Sequence, residues 1–448
     1  MGSHRHIILI NIMRLFATGL LLPTFCSHAI TLQQAVTSAF QYDAALQSGQ
    51  KTTDADKQKY WQGVSGLLPQ VGLEGSWNRQ EQPEANYQNG MTSHNYNVRV
   101  QQPIFDMSKV AAWKKGDAIA STADAQLRQV QEKLTTDVAD AFFSVLQQRE
   151  VTQAAKATGE NLARQLSRLR VGLTHGQNTR TEVDEAQANA DIATARIIQA
   201  ENDLLLAGEA FRRLTGLAPD TIEAVKWQCA RQPVVNDLAE ALRQAQQNNV
   251  QVRIARFQTA QANADLDSAN SAHLPVVSAY ASYGKNWSRS ENDSVLYDAI
   301  FGNESKSSSL QYGVNVSIPL FSGGGQLSQS FEATYRHQAA KFAITDAQRK
   351  AIQDTRSAWL NIKNGAALVE AQKQAVESAK KRVRSVGYGK EMGFRTVNDE
   401  LDAQQKYFES ERDLFESIYR YLSALLYIAQ LNGTLDLAML GQLSCRYS

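Results

Sequence analysis

Four segments alternate apolar and polar residues with a period of two, which is the pattern of β-strands with two unlike faces. They fall in two pairs, at 71–77 with 96–100 and at 277–283 with 312–316. Such strands fit a sheet that faces lipid on one side and water on the other, although a half-buried soluble hairpin has the same alternation. Because four strands cannot close a barrel alone, the membrane interpretation requires several copies of the chain.

Two long runs without proline, 104–218 and 320–448, predict helices, because proline breaks a helix interior. The second half of each run repeats apolar residues every seven positions: Val183, Ala190, Ile197, Leu204 and Phe211, and then Leu401, Phe408, Phe415 and Leu422. This heptad predicts left-handed supercoiling against neighbouring helices. Each run therefore predicts a helix of about 95 Å, at 1.5 Å per residue, followed by a turn and a shorter returning helix.

The chain is a tandem duplication, because its motifs recur in order. Leu68-Pro69-x-Val71 returns as Leu274-Pro275-x-Val277, and Pro103-Ile104-Phe105 returns as Pro319-Leu320-Phe321. Each repeat is predicted as a helix, two strands, a long helix, a turn and a returning helix. Single short helices at about 31–64 and 237–270 are expected to stack end to end on the returning helices and complete a helical wall.

The predicted divisions follow from the repeat. The first repeat covers 30–215 and the second covers 237–432. An equatorial linker at 216–236 and a C-terminal tail at 433–448 are expected to form a collar at mid-height.

Residues 1–29 are predicted to be a secretory signal peptide. Arg5 and Arg14 supply positive charge, 7–22 is mostly apolar, and Ser27-His28-Ala29 fits a cleavage site. The alternative is an uncleaved anchor helix, but the apolar run is short for a membrane span.

Removing the two arginines with the signal peptide changes the formal net charge of the chain from +1 to −1. The mature chain therefore has no electrostatic basis for binding nucleic acid.

Two cysteines, Cys229 and Cys445, remain after the signal. Export would place them in an oxidising compartment, where a disulfide between them is plausible. Two unpaired thiols are the alternative.

No motif indicates catalysis, a cofactor or a metal. Gly323-Gly324-Gly325 lacks the following Lys-Ser/Thr of a phosphate-binding loop and predicts a strand-to-helix corner. His94, His175, His273 and His337 show no ligand spacing. No nucleophile elbow is present. The chain is therefore not expected to be an enzyme.

The duplicated motifs, together with the turn Gly393-Phe394-Arg395-Thr396-x-x-Asp399-x-Leu401-Asp402-Ala403-Gln404, resemble the TolC family of outer-membrane efflux and secretion channels, in particular its type I secretion branch. The resemblance covers essentially all of 30–448. It implies a mainly α protein with a membrane β part, in which a trimer forms a 12-stranded β-barrel continuous with a 12-helix periplasmic α-barrel.

The turn between the long helices carries two pairs of acidic residues. Asp399 and Asp402 lie three residues apart, as do Glu182 and Glu185 in the first repeat, so each pair shares one helical face. If these faces point inward, the trimer has stacked acidic rings at its entrance, a constriction that favours cations. A solvated acidic first turn that complements the helix dipole is the alternative.

Arg395 matches the arginine with which family members hold neighbouring tip helices together. The resemblance implies Glu182 and Thr181 of the other hairpin as its acceptors, in a link that keeps the entrance closed. The alternative is a surface arginine with a negligible ion pair. The sequence departs from the family pattern at Lys390, where some relatives have an aromatic residue.

The expected function is a passive trimeric channel-tunnel, the exit duct of a type I protein secretion system in the outer membrane of a Gram-negative bacterium. Its expected partners are two further copies of the chain, a periplasmic adaptor, an inner-membrane ABC transporter, secreted protein cargo and outer-membrane lipid. One alternative is the outer-membrane component of a small-molecule efflux pump. The second is a periplasmic coiled-coil scaffold that conducts nothing.

Overall fold

The computed structural model describes residues 29–81, 90–223, 237–291, 300 and 304–443. Residues 1–28 of the predicted signal peptide, Cys229 and Cys445 lie outside the described residues, so the cleavage and disulfide predictions remain predictions. Among the described helices, none has both the length and the apolar character needed to cross a bilayer.

Both halves of the chain contain the same series of elements. The first half has α1 (Leu32–Tyr42), α2 (Ala44–Ser65), β1 (Gln70–Glu81), β2 (Gly90–Phe105), α3 (Met107–Thr174) and α4 (Arg180–Thr215). The second half has α5 (Leu238–Asn248), α6 (Val250–Ser271), β3 (Val276–Glu291), β4 (Glu304–Ser317), α7 (Gly325–Glu391) and α8 (Val397–Leu431), followed by α9 (Leu437–Leu443). The predicted order of two strands, a long helix and a returning helix is confirmed in both halves.

The prediction of one short helix before each strand pair was wrong, because each is two helices that meet at an Asp or Asn. Asp43 has extended backbone angles, and its side chain accepts a hydrogen bond from the Leu46 N–H at 2.7 Å. Asn249 caps α6 in the same way, through the Gln251 N–H at 2.9 Å. Side chains of this type satisfy the free N–H groups at the start of a helix, so each residue ends one helix and begins the next.

The strands form one antiparallel four-stranded sheet in the order β1-β2-β3-β4. Leu73 pairs with Val98, Val98 with Tyr283, and Tyr283 with Leu310. Directly paired residues of antiparallel strands share a face, so the apolar positions of all four strands form one continuous apolar face. This face is unburied in the single chain, where Leu73 is 74% exposed and Tyr312 is 80% exposed. The predicted two-faced sheet is confirmed.

The helices form a wall one helix thick, in which α3 and α7 run its whole length. α2 packs on the first half of α3 and α4 on its second half, while α6 and α8 lie between α3 and α7. Polar side chains bridge neighbouring helices: the Thr152 hydroxyl donates to the Ala200 carbonyl at 3.1 Å, and the Thr259 hydroxyl to the Ala340 carbonyl at 3.1 Å. The order across the wall is therefore α2/α4, α3, α6/α8 and α7.

The predicted end-to-end stacking is confirmed at two junctions. The Ser38 hydroxyl of α1 donates to the Thr215 carbonyl at the end of α4, at 2.9 Å. In the second half, the Asn249 amide donates to the Leu431 carbonyl at the end of α8, at 3.1 Å. Each junction thus gives a free helix-end carbonyl a partner.

Among the described residues, the largest hydrophobic core lies at the first of these junctions, where α1 meets α4. Phe142, Phe143 and Phe211 are fully buried there, against side chains of α1, α8 and α9. The predicted collar is described only at residues 216–223 of the linker and 433–443 of the tail; we use the term collar for 216–223 and α9 together with the adjoining helices α1 and α5. Arg149 fastens its linker portion by donating to the carbonyls of Pro219 and Ile222 at 2.9 and 3.1 Å.

We predict that Gly116→Ala destabilises the protein, because α2 and α3 touch backbone to backbone at this point. A Cβ atom on Gly116 would overlap the Lys59 carbonyl of α2. Forcing the helices apart should lower the free energy of unfolding by about 1–3 kcal/mol, measured as a lower melting temperature.

Gly49→Ala, in the same helix pair, is the matched control. Its Cβ would lie 3.8 Å from Val130, which is an ordinary contact. The alanine should leave stability unchanged or raise it by up to about 1 kcal/mol through helix propensity. Equal melting temperatures for both variants would contradict the close contact.

Candidate functional site at the helical tips

Both tip turns have the same local construction. Gly176 and Gly393 adopt left-handed backbone angles, with φ of 69° and 79°, which glycine adopts without steric penalty. Three residues after each glycine, a threonine caps the returning helix and receives a carboxylate three residues further on: Thr179 with Glu182, and Thr396 with Asp399. This reciprocal capping box satisfies two helix-end donors at once. It accounts for the recurring glycine, threonine and acid spacing.

The first acid of each predicted acidic pair is therefore a capping residue. Asp399 accepts hydrogen bonds from the Thr396 N–H at 2.9 Å and from its hydroxyl at 3.0 Å. These two bonds, and then the charges of Arg395 and Arg382, lower the pKa of Asp399 below its ordinary value of 3.8. The pKa of Asp399 is thus lower in the folded protein than in the unfolded chain. The ionised carboxylate therefore stabilises the fold fully at any pH above its ordinary pKa, and this stabilisation is lost as the pH falls through the lower, folded-state pKa.

The second acids stand one helical turn beyond the caps. Asp402 is exposed on α8, and Glu185 is half-buried on α4. The three-residue spacing keeps each on the same side of its helix as the capping acid. The four carboxylates thus lie in the first two turns of α4 and α8, one pair on each helix. Their arrangement around an entrance remains a prediction.

Arg395 does not reach its predicted acceptors within one chain. Its guanidinium lies 3.8 Å from the Asp399 carboxylate, and its side chain is 57% exposed. Glu182 accepts instead from the Thr179 N–H at 2.7 Å, and Thr181 is exposed. A link from Arg395 to Glu182 or Thr181 would therefore have to join neighbouring chains, and it remains a prediction.

Three polar residues that connect α3, α7 and α8 at the tips were missed by the sequence reasoning. The Lys390 ammonium lies 2.5 Å from the Glu400 carboxylate, and the Gln165 amide donates to the same oxygen at 3.1 Å. The Lys390 side chain is 29% exposed and the Glu400 side chain 14%, so water screens the pair only partly. We call Gln165, Lys390 and Glu400 the tip junction.

An apolar cluster lies beside the tip junction. Val397 and Leu401 of α8 pack against Leu162, Leu166 and Leu169 of α3. The start of α8 is therefore bound to α3 by apolar contacts and by Gln165, and to the end of α7 by Lys390. Within one chain the two hairpin tips form a single packed unit.

We predict that Glu400→Gln loosens the tip. The substitution keeps the shape of the side chain but removes the charge that binds Lys390. A loss of about 1 kcal/mol corresponds to roughly fivefold faster local opening. Hydrogen–deuterium exchange of the turn at 391–396 in the purified protein measures this opening.

Glu332→Gln is the control for this experiment, because Glu332 pairs with Arg336 on the exposed surface of α7, far from the turn. It should leave exchange at 391–396 unchanged. If both variants exchange as the unmodified protein does, the tip junction does not hold the turn.

Within the part of the chain that the structure describes, no group of three or more His, Cys, Asp or Glu side chains is placed to hold a metal ion. A cavity of about 1610 Å³ lies between α3, α6, α7 and α8 near the middle of the wall. Small residues of α7 and charged residues including Lys133, Asp140 and Asp354 line it. It is a groove within the wall, remote from the tips.

Comparison with known proteins gives a consistent result. The family described as "Outer membrane efflux protein" matches residues 35–217 and 241–434. The chain is 29% identical to the outer membrane protein TolC of Vibrio cholerae over 427 residues, which cover 93% of this chain and 96% of that protein. It is 27% identical to the alkaline protease secretion protein AprF of Pseudomonas aeruginosa over 448 residues, covering 94% and 88% of the two chains.

Solved structures share the fold. The outer membrane protein VceC of Vibrio cholerae superimposes with a TM-score of 0.74 and 18% identity, over 90% of this chain and 96% of that one. The open state of the MtrE outer membrane channel of Neisseria gonorrhoeae gives a TM-score of 0.73 and 20% identity, over 90% and 89% of the two chains.

These matches confirm the predicted resemblance and the mainly helical protomer with its small sheet. They also confirm the predicted outer-membrane location in a Gram-negative bacterium and the expectation of a channel rather than an enzyme. The family match spans most of both halves of the chain. The chain belongs to the outer membrane efflux protein family.

Proposed function

We propose that this chain forms a homotrimeric channel-tunnel, the passive exit duct of a type I protein secretion system. The observation that carries the proposal is the pair of unlike open edges of the single chain. β1, α2 and α4 lie at one edge of the sheet and wall, and β4 and α7 lie at the other. An unpaired strand edge and an unpartnered helix flank both require a neighbour.

The two edges carry exposed apolar side chains that suit such a contact. Ile198 and Leu205 lie one heptad apart on α4, and Phe331, Tyr335 and Phe342 line α7. Because the two edges differ, copies would join head to tail, and such contacts form closed rings when the rotation closes. Three copies would supply the 12 strands and 12 helix positions that the TolC resemblance implies.

The proposed duct has no energy source of its own, so we assign energy supply to partners. An inner-membrane ABC transporter would drive export, and a periplasmic adaptor would connect it to the helical tips. Protein cargo is favoured because AprF of Pseudomonas aeruginosa is named for the secretion of alkaline protease. The efflux alternative is favoured by the outer membrane efflux protein BepC of Brucella suis, which is 22% identical.

The scaffold alternative has less support. A periplasmic scaffold has no need for a sheet whose apolar face is continuous over four strands and exposed to the surroundings. Burying such a face in lipid removes its apolar side chains from water, which is favourable at about 25 cal/mol per Å².

We predict that deletion of the gene removes one or a few proteins from the culture medium and leaves them inside the cell. Susceptibility to dyes, detergents and antibiotics should stay unchanged. Quantitative proteomics of medium and cells, together with growth inhibition assays, measures both effects, and complementation with the intact gene is the control. Unchanged secretion with increased susceptibility would favour the efflux alternative.

The tip residues support a gate in this duct. We propose that Asp399, Asp402, Glu182 and Glu185 form an acidic entrance in the trimer, and that Arg395 links each chain to Glu182 or Thr181 of its neighbour. Charge-assisted hydrogen bonds of this kind are among the stronger polar contacts. Adaptor binding would shift the population toward the open entrance.

We predict that Arg395→Ser raises the single-channel conductance of the purified protein in a planar lipid bilayer, because the link between chains is lost. Arg336→Ser is the control, since Arg336 pairs within α7. If Arg395→Ser has the same conductance as Arg336→Ser, the proposed link between chains is refuted. If the unmodified protein and both variants form no channel, the proposed duct is refuted.

A further inference from the structure

A basic cavity of about 490 Å³ opens beside the collar, on the wall rather than at the tips. Three arginines line it, Arg128 of α3 with Arg253 and Arg256 of α6. The remaining lining residues are neutral: Gln247, Asn248, Phe257 and Gly433. Guanidinium groups repel one another at short range. A cavity that gathers three of them without a lining carboxylate is therefore suited to an anion.

Arg128 is fixed in place by its own partners. Its Nη2 donates to the Gly433 carbonyl at 2.8 Å, and its Nε lies 2.9 Å from the Glu132 carboxylate. The Glu132 side chain is 6% exposed, and burial raises its pKa, while the charges of Arg128 and Arg253 oppose that rise. Glu132 therefore acts as the internal counter-charge for one of the three guanidinium groups.

Neither of the other two guanidinium groups forms an ion pair among the described residues, although Arg253 also lies within the electrostatic range of Glu132. Arg256 donates to the neutral carbonyl of Gln246 at 3.1 Å. Among the described residues, the half-buried side chain of Arg253 forms no hydrogen bond and no ion pair. Three positive charges and one negative charge leave an excess of about two positive charges at the cavity.

We propose that this cavity binds a phosphate group. A net excess of about two positive charges matches a dianion better than a single carboxylate. The planar guanidinium fork also pairs well with the oxygens of phosphate. The ligand is either free inorganic phosphate or the phosphate of a soluble ester. A lipid headgroup is disfavoured, because Arg128 lies roughly 30 Å along α3 from the sheet, at 1.5 Å per residue.

The cavity lies outside the contacts of the ring proposed above. α3 and α6 are the two central helices of this part of the wall, flanked by α2 on one side and α7 on the other. The head-to-tail contacts proposed above would use α2, α4 and α7, which contribute no residue to the cavity lining. The phosphate site does not depend on which cargo passes through the channel.

The test is isothermal titration calorimetry of the purified full-length protein with inorganic phosphate, at neutral pH and constant ionic strength. Arg253→Gln and Arg256→Gln should each weaken binding by about tenfold, as expected for loss of one charge-assisted hydrogen bond. Arg243→Gln is the matched control, because Arg243 pairs with Glu240 on the nearby surface of α5. It should bind phosphate as the unmodified protein does.

Circular dichroism and elution volume confirm that each variant is folded and assembled. A parallel titration with glycerol 3-phosphate shows which kind of ligand the site takes. If glycerol 3-phosphate binds more tightly than inorganic phosphate, the ligand is a phosphate ester. If it binds more weakly, the ligand is the free anion. The proposal is overturned if the unmodified protein gives no binding heat at millimolar phosphate. It is also overturned if acetate binds equally well, or if Arg253→Gln and Arg256→Gln bind as tightly as the control.

Discussion

A four-stranded sheet with two open edges and one exposed apolar face is the constraint on which the rest of this structure depends. In a membrane, every backbone N–H and C=O must have a partner, and a lipid-exposed sheet edge has none. In the proposed trimer, neighbouring copies would pair the edges at β1 and β4. The helical wall has two matching edges: α2 and α4 lie on the same side as β1, and α7 lies on the same side as β4. A single head-to-tail contact, repeated around a ring, would therefore pair both the strand edges and the helix edges.

The wall below the sheet is held together differently. Its two full-length helices need a partner along their whole length, yet α4 and α8 reach only part of the way, so α2 and α6 fill the remainder. The junctions between these stacked helices would expose free carbonyls. Ser38 and Asn249 satisfy two of them, and the collar covers the region with the largest hydrophobic core. The mid-height core is thus a consequence of building a long wall from interrupted helices.

Periodicity and duplication made most of the fold predictable from the sequence. The period of two located the sheet and its apolar face, and the repeated proline motifs placed all four strands. The breaks at Asp43 and Asn249 were missed because the hydrophobic pattern continues through them, although capping residues of this kind are a local signal. At the tips, the glycine turns and acidic pairs were visible as motifs. The tip junction was not, because Lys390 and Glu400 face each other across a turn and Gln165 comes from the other repeat.

The tip junction also bears on how a gate at this end would work. Gln165, Glu400 and Lys390 connect α3, α8 and α7 within one chain, and Val397 and Leu401 reinforce the connection with apolar contacts. Arg395 lies outside this unit, largely exposed, with a long contact of 3.8 Å to Asp399. A weak exposed pair within the chain leaves the Arg395 guanidinium available for a contact with a neighbouring chain. In the proposed trimer, the entrance would therefore open at the contacts between chains, while each pair of hairpin tips moves as one body.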